Sequence, residues 1–196
     1  MPPRQPSPPT PLRADRRRIP LCWLMTDARL GEGLPRAIAA MPPRSAVVVR
    51  PYALATKGSA ATIRAIRRAA RAKRHLLLLA GDGSLSGYDG RHFGGGARLR
   101  AAGGGFLSVP VHDRAEALRA RRLAADAVLV SPVWPTRSHP GAAVLGVRGF
   151  AGLARLSGRC AIALGGMTAT RFVALRRHGA HGFAAIDAWA RPRAQG

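Results

Sequence analysis

The chain is poor in acid, in lysine and in cysteine. Its 196 residues hold 9 Asp and Glu against 32 Lys and Arg, a formal net charge of +23 with His neutral. Lysine occurs only at Lys57 and Lys73, so arginine carries nearly all of that charge. The two cysteines, Cys22 and Cys160, are too few for a disulfide framework or a four-ligand zinc site. No apolar run approaches the roughly 18–20 residues that cross a bilayer, which excludes a membrane-spanning helix. Hydrophobic residues still make up 47%, too many for a chain that cannot build a core. The expectation is a globular domain in the cytoplasm without a membrane partner.

A charge of this size suits a nucleic-acid or polyanion binder. GC-rich codon usage, which favours Arg, Ala, Gly and Pro, accounts for it as well, and charge alone sets neither fold nor function. Nucleic acid therefore stays open as a partner without being favoured. Arg64, Arg67, Arg68 and Arg71 fall at i, i+3, i+4 and i+7, opposite Ile63 and Ile66. A solvated outer helix face is the plain reading. An anion-binding ridge is the sharper one, weakened by the lack of aromatic residues for base stacking.

Residues 1–18 carry Pro2, Pro3, Pro6, Pro8, Pro9 and Pro11, followed by Arg16, Arg17 and Arg18. They read as a disordered basic tail. The apolar stretch Ile19 to Met25 barely reaches the lower bound for a signal peptide and runs straight into Thr26-Asp27, so a first buried strand is the better reading. Beyond it, short apolar runs recur at Leu21–Met25, Ala46–Val49, Leu76–Ala80, Phe106–Val109, Ala127–Val130, Ala161–Leu164 and Gly182–Ile186. Little polar alternation interrupts them, as expected of strands buried on both faces of a parallel sheet.

Helical spacing falls between most of these runs, at Ile63, Ile66 and Ala70, at Ala115, Leu118 and Leu123, and at Phe172 and Leu175. Strand and helix in alternation predict an α/β fold. A weaker strand at Asp89–Phe93 would bring the number to eight. The spacing then fits a compact (β/α)8 barrel with a shortened third helix, where Gly81–Tyr88 is a Gly/Ser loop, and little or no eighth helix. A doubly wound open sheet is the alternative, but its Gly-rich first turn is replaced by Thr26-Asp27-Ala28-Arg29. Residues 19–191 are the expected domain and 192–196 a disordered end.

Two strand ends carry the chemistry. After Ala127–Val130 comes Ser131-Pro132-Val133-Trp134-Pro135-Thr136-Arg137-Ser138-His139-Pro140, placed where parallel strands open onto their ligands. It offers the hydroxyls of Thr136 and Ser138, the fixed cation of Arg137 and the titratable His139, in a loop stiffened by proline. The second is Leu164-Gly165-Gly166-Met167-Thr168, where paired glycines let a ligand approach the backbone at a helix N-terminus suited to phosphate. A plain tight turn is as good a reading of Gly-Gly alone.

Together these residues resemble the thiamine phosphate synthase / TenI-like family. The resemblance begins at Thr26-Asp27, continues through Asp89-Gly90-Arg91-His92-Phe93-Gly94, and is strongest in Ser131–His139 and Ala163–Gly166. It implies a (β/α)8 barrel that joins an aminopyrimidine diphosphate to a thiazole phosphate and releases pyrophosphate with the help of magnesium. TenI-like relatives share the fold and bind thiazole phosphate or thiamine phosphate, some of them as tautomerases.

Carried onto this chain, the resemblance makes Arg50 and His139 the catalytic, diphosphate-side candidates. Thr136, Arg137, Ser138, Gly165 and Gly166 are the substrate-binding candidates and Asp82 the magnesium ligand. The family's metal, diphosphate and pyrimidine positions are otherwise depleted: Ala97 stands for a second carboxylate, Val48 and Tyr52 for a Gln and a Lys, and Pro110 for a serine. A strand-8 phosphate serine falls at Asp187. Arg50, Arg91 and Arg137 are the cations available to compensate.

The function implied is thus thiamine phosphate synthesis on phosphorylated small molecules, with a degenerate diphosphate and metal site. A TenI-like thiazole-phosphate binder or tautomerase is the second reading, and a basic nucleic-acid-associated module the third. A homo-oligomer stays open.

Overall fold

The computed structural model describes residues 19–54, 59–93, 105–137 and 141–189. The expected basic tail and disordered end, and the sites at Ala97, Ser138 and His139, lie outside them. Eight strands run in parallel: β1 (Cys22–Met25), β2 (Ala46–Val49), β3 (Leu76–Ala80), β4 (Gly90–His92), β5 (Phe106–Val111), β6 (Ala127–Val130), β7 (Cys160–Leu164) and β8 (Ala180–Ala185). Each pairs with the next. The sheet closes where Cys22 and Trp23 of β1 stand opposite Phe183 and Ala184 of β8. The fold is a closed (β/α)8 barrel, and the open-sheet alternative falls.

The apolar runs of the sequence become strands because both of their faces are covered. Trp23, Val48, Leu78, Leu129 and Ile162 point into the barrel. Leu24, Val47 and Leu77 on one side, and Val109, Val128 and Ala161 on the other, point outward beneath the helices. All four residues of β2 and of β6 are buried, which is why neither shows polar alternation. Near the start of β1, Trp23 fills the barrel floor, its Nε1 donating to the Pro20 carbonyl at 2.7 Å and its ring 6.1 Å from that of Phe106.

Five α-helices lie among the described residues: α1 (Leu34–Ala40), α2 (Ala60–Ala72), α3 (Arg114–Arg122), α4 (Gly146–Ser157) and α5 (Ala169–Arg176). Ser59, Asp113 and Thr168 cap α2, α3 and α5 by accepting from the N–H three residues on, each satisfying one donor that a helix start leaves free. No helix among the described residues is long and apolar enough to cross a membrane.

Residues 81–89, between β3 and β4, hold no helix. The arginine stripe on α2 works on this loop. Arg67 donates to the Ser86 carbonyl at 2.8 Å and lies over the Tyr88 ring. Arg71 pairs with Asp89 at 2.9 Å, and Asp89 also accepts the Leu77 N–H at 2.8 Å. Half of the stripe is therefore a brace for the β3–β4 connection; Arg64 and Arg68 are exposed. Among the described residues a 3-10 turn, Asp187–Trp189, follows β8. Trp189 stacks on Phe183 with ring centroids 5.8 Å apart and donates to the Trp23 carbonyl at 3.1 Å, so one indole covers part of the flank between β8 and β1.

Candidate functional site

In a parallel barrel the loops after the strands form one mouth. Most of the candidates taken from the sequence sit there, but the mouth divides into two halves of different character.

One half lies at β6, β7 and β8. A cavity of about 620 Å³ is lined there by Thr136, Arg137, Gly165, Gly166, Thr168 and Trp189, among others. Four of the five substrate-binding candidates thus meet at one place; the fifth, Ser138, is not among the described residues. The wall is apolar, with Leu164, Ile186 and Ala184, and the start of α5 contributes Thr168 and Ala169. The first turn of a helix has backbone N–H groups without intrahelical partners and carries the positive end of the dipole. Together with Arg137 and Arg29, which also lines the cavity, it suits an anionic group attached to a flat apolar body. Among the residues whose side chains are described, none that lines the cavity is acidic.

The glycines also have a packing role. Gly165 and Gly166 hold φ of +95° and +59°, conformations in which glycine avoids the strain of a side chain. A Cβ on Gly165 would lie 2.8 Å from Pro132 Cα, and one on Gly166 would lie 2.6 Å from the Pro135 carbonyl oxygen. The space left by the missing side chains is filled by the β6 loop. That loop is zipped to β7, with the Val133 N–H on Leu164 O at 2.9 Å and the Trp134 N–H on Gly165 O at 3.2 Å. Arg171 adds a second clasp, donating to the Gly166 carbonyl and lying 5.2 Å from the Trp134 ring centre. Gly-Gly is therefore first a packing device that joins the two loops of the cavity.

The other half lies at β1 to β5. Arg50, just past β2, is half-buried and fixed from three directions. Its backbone N–H donates to Thr26 Oγ1 at 2.8 Å, its Nε to the Thr26 carbonyl at 2.8 Å, and Nη2 meets Asp27 Oδ2 at 3.1 Å. Asp27 also accepts the backbone N–H and Nε of Arg29. Burial opposes its charge, but the hydrogen bonds from Arg29 and the charges of Arg29 and Arg50 outweigh it and hold the carboxyl below its usual range. Sequence reasoning met Asp27 only as part of a resemblance. A carboxylate two residues past a barrel strand was the signal for a role at the mouth.

Below Arg50 lies His92, buried in the barrel with Nδ1 2.9 Å from Ser108 Oγ. Burial first, then the positive charges of Arg50 and His112, pushes its pKa down to about 4, so the ring is neutral at pH 7. On the rim after β5, His112 is instead exposed and pairs with Glu116 at 2.8 Å.

Asp82, expected to hold magnesium, is exposed, on a loop whose Gly81 and Gly83 carbonyls are both taken by Arg91. Arg91 therefore serves its own loop and is not a spare cation for a diphosphate. Among the described residues no three His, Cys, Asp or Glu side chains come together as a metal site, and the Asp27 carboxylate is occupied by two arginines. Magnesium is held by one or two carboxylates with the rest supplied by water and phosphate. The lone exposed Asp82 does not make a resident site, and the described residues do not fit one.

Residues 25–189 match the family model described as thiamine monophosphate synthase. No curated protein matches the chain in sequence. Among solved structures, a thiamine phosphate pyrophosphorylase from Pyrococcus furiosus is 19% identical with a TM-score of 0.68, over 91% of this chain and 90% of that one. One from Bacteroides thetaiotaomicron is 14% identical with a TM-score of 0.58, over 90% and 88%. FabK from Thermotoga maritima is similar in fold as well, 17% identical with a TM-score of 0.63, over 85% of this chain and 58% of that one.

Proposed function

The chain belongs to the thiamine monophosphate synthase family, and from that premise we propose that its principal ligand is a thiazole phosphate, bound in the cavity at β6 to β8. One observation carries the reading: the β6 loop and the start of α5 bring Thr136, Arg137, Gly166 and Thr168 around a single cavity with an apolar wall. The phosphate is set at the N–H groups of the α5 first turn with Arg137 beside it. The thiazole ring lies against the Leu164, Ile186 and Trp189 side.

The family reaction joins such a thiazole, through its ring nitrogen, to the methylene carbon of an aminopyrimidine diphosphate, and pyrophosphate leaves. One observation favours this second step here. Arg50 is held at the mouth by Thr26 and Asp27, as a preorganised cation for a leaving diphosphate would be. The same contacts set an ionised carboxylate beside it, and the resident metal site is lacking among the described residues. Thiazole-phosphate binding is therefore the primary reading, and synthase turnover a slow accompaniment.

Calorimetric titration with thiazole phosphate and with aminopyrimidine diphosphate, each alone, tests both. Binding of the thiazole phosphate in the micromolar range, with weak binding of the diphosphate, is the expected result. Absence of thiazole-phosphate binding overturns the assignment of the cavity. Equal and tight binding of both, with rapid turnover, makes the chain an ordinary synthase.

A further inference from the structure

We propose that the end of the barrel opposite the mouth binds the phosphodiester backbone of duplex nucleic acid, without reading its sequence. Loops that lead from a helix into the next strand all lie at that end. Here they present Arg44 before β2, Arg74 before β3, Arg121 and Arg122 before β6, and Arg176 and Arg177 before β8, every one exposed. None of the six is in an ion pair among the described residues. The acids on the same loops are occupied from within: Asp89 by Arg71 and the Leu77 N–H, Asp126 by the Leu107 N–H at 2.8 Å. The face is thus positive without local compensation.

Helix ends favour cations because of the dipole, which accounts for Arg121, Arg122 and Arg176 on grounds of stability alone. It does not account for Arg44 and Arg74. These two sit at φ of +59° and +54°, in the left-handed region where an L side chain is strained and glycine is at ease. The equivalent turns before β6, β7 and β8 hold Ala124, Gly158 and Gly179, at φ of +54°, +59° and +95°. Where those three turns carry alanine or glycine, 44 and 74 carry an exposed arginine. A long exposed cation in place of a small residue, at two turns of the same face, points to a use for the cation.

The chemistry of the face selects the partner. Arginine forks match phosphate oxygens in pairs. Among the described residues no large apolar side chain is exposed at this end apart from Leu21, which argues against insertion into a lipid surface. Aromatic stacking platforms for single strands are lacking as well. What remains is contact with the backbone of a duplex, whose affinity comes from counterion release.

The test measures binding of a fluorescent DNA duplex of about 20 base pairs to the full chain, at salt from about 50 to 200 mM. Parent, Arg44→Gly/Arg74→Gly and Arg64→Gln/Arg68→Gln are compared. The last pair removes the same charge from the outer face of α2. Loss of Arg44 and Arg74 is expected to weaken binding roughly eightfold per contact at 0.1 M salt and to lower the salt slope by about 2, with a melting temperature equal to or above the parent's. The α2 pair is expected to bind as the parent does. Equal losses in both pairs overturn the proposal, since net charge alone would then explain them. If the glycine variant melts early, Arg121→Gln/Arg122→Gln replaces it under the same criteria. Preferential binding to phosphatidylserine vesicles that the same substitutions abolish overturns it in favour of lipid.

Discussion

Acid should weaken this fold well before its carboxylates titrate, and His92 is the cause. The ring lies in the barrel against Ser108, with Arg50 and His112 as the charged neighbours that burial leaves in force. Its pKa falls from the ordinary 6.5 to about 4. The folded state thus holds the neutral ring while the unfolded chain takes up a proton already near 6.5. Above that pH both states are neutral and the contribution is complete. It drains away as the pH falls from 6.5 toward 4, and below 4 both states are protonated and nothing more is lost.

At 1.36 kcal/mol per pH unit the gap is worth about 3 kcal/mol, of which about 2.5 has gone by pH 4.5. For a chain of this length that is a fall of roughly 5–10 °C in melting temperature. The assay is urea unfolding at fixed pH from 7.5 to 4.5, on the parent and on His92→Asn, which keeps a hydrogen-bonding group near the Nδ1 position. His75 is also buried, and burial first, then Lys73, lowers its pKa against the pull of the Ile38 carbonyl, so the variant should keep part of the slope. The expected result is that about 2.5 kcal/mol of the difference between pH 7.5 and 4.5 disappears. Parallel curves for the two proteins would refute the reasoning, whatever their offset, because a titrating His92 must appear in the slope.

Other substitutions separate the halves of the mouth. Gly166→Ala puts a side chain 2.6 Å from the Pro135 carbonyl at φ +59°, so about 1–2 kcal/mol of strain plus loop displacement should lower the melting temperature and thiazole-phosphate affinity together; an unshifted melt would show that the β6 loop yields. Arg50→Ala should leave thiazole-phosphate affinity unchanged and weaken pyrophosphate binding about tenfold or more, in line with about 1.5–3 kcal/mol for a hydrogen bond to a charged group; Asp27→Asn should strengthen pyrophosphate binding, both read by calorimetry. Chelation with EDTA should not alter thiazole-phosphate affinity, and a clear loss would mean that a metal helps hold that ligand.

The barrel was legible because its strands are buried on both faces and leave unbroken apolar runs. Even the weak Asp89–Phe93 segment holds a strand, Gly90–His92, and its motif has structural reasons. Asp89 ties β4 to β3 and α2, and His92 meets Ser108 inside the barrel. Gathering Thr136, Arg137, Gly165 and Gly166 was legible too, because consecutive parallel strands deliver their ends to one rim. What the glycines do was not legible, since a ligand and a neighbouring loop demand the same missing Cβ. Nor could sequence spacing show how the arginines are spent: Arg67, Arg71 and Arg91 close onto the loop around 81–89 through contacts set by tertiary placement, and they leave the pool of free cations that composition suggests.

The uneven chemistry of the mouth follows from where its one well-held carboxylate sits. Asp27 fixes Arg50 and Arg29 by ion pairs, and those arginines keep it ionised. A cation preorganised in this way is ready for an anion without reorganisation, yet any anion at Arg50 also faces the Asp27 charge, and in a partly buried site that repulsion is poorly screened. A diphosphate bears more charge than a monophosphate ester and suffers more from it, while the described metal donors that would offset the charge are reduced to the exposed Asp82. At β6 to β8 the balance is different: Arg137 and a helix start converge on a cavity that Asp27 does not line. If the proposed assignment holds, the barrel would discriminate between a monophosphate and a diphosphate ligand by charge, binding the first where charge is complementary and the second only where an arginine is already shared.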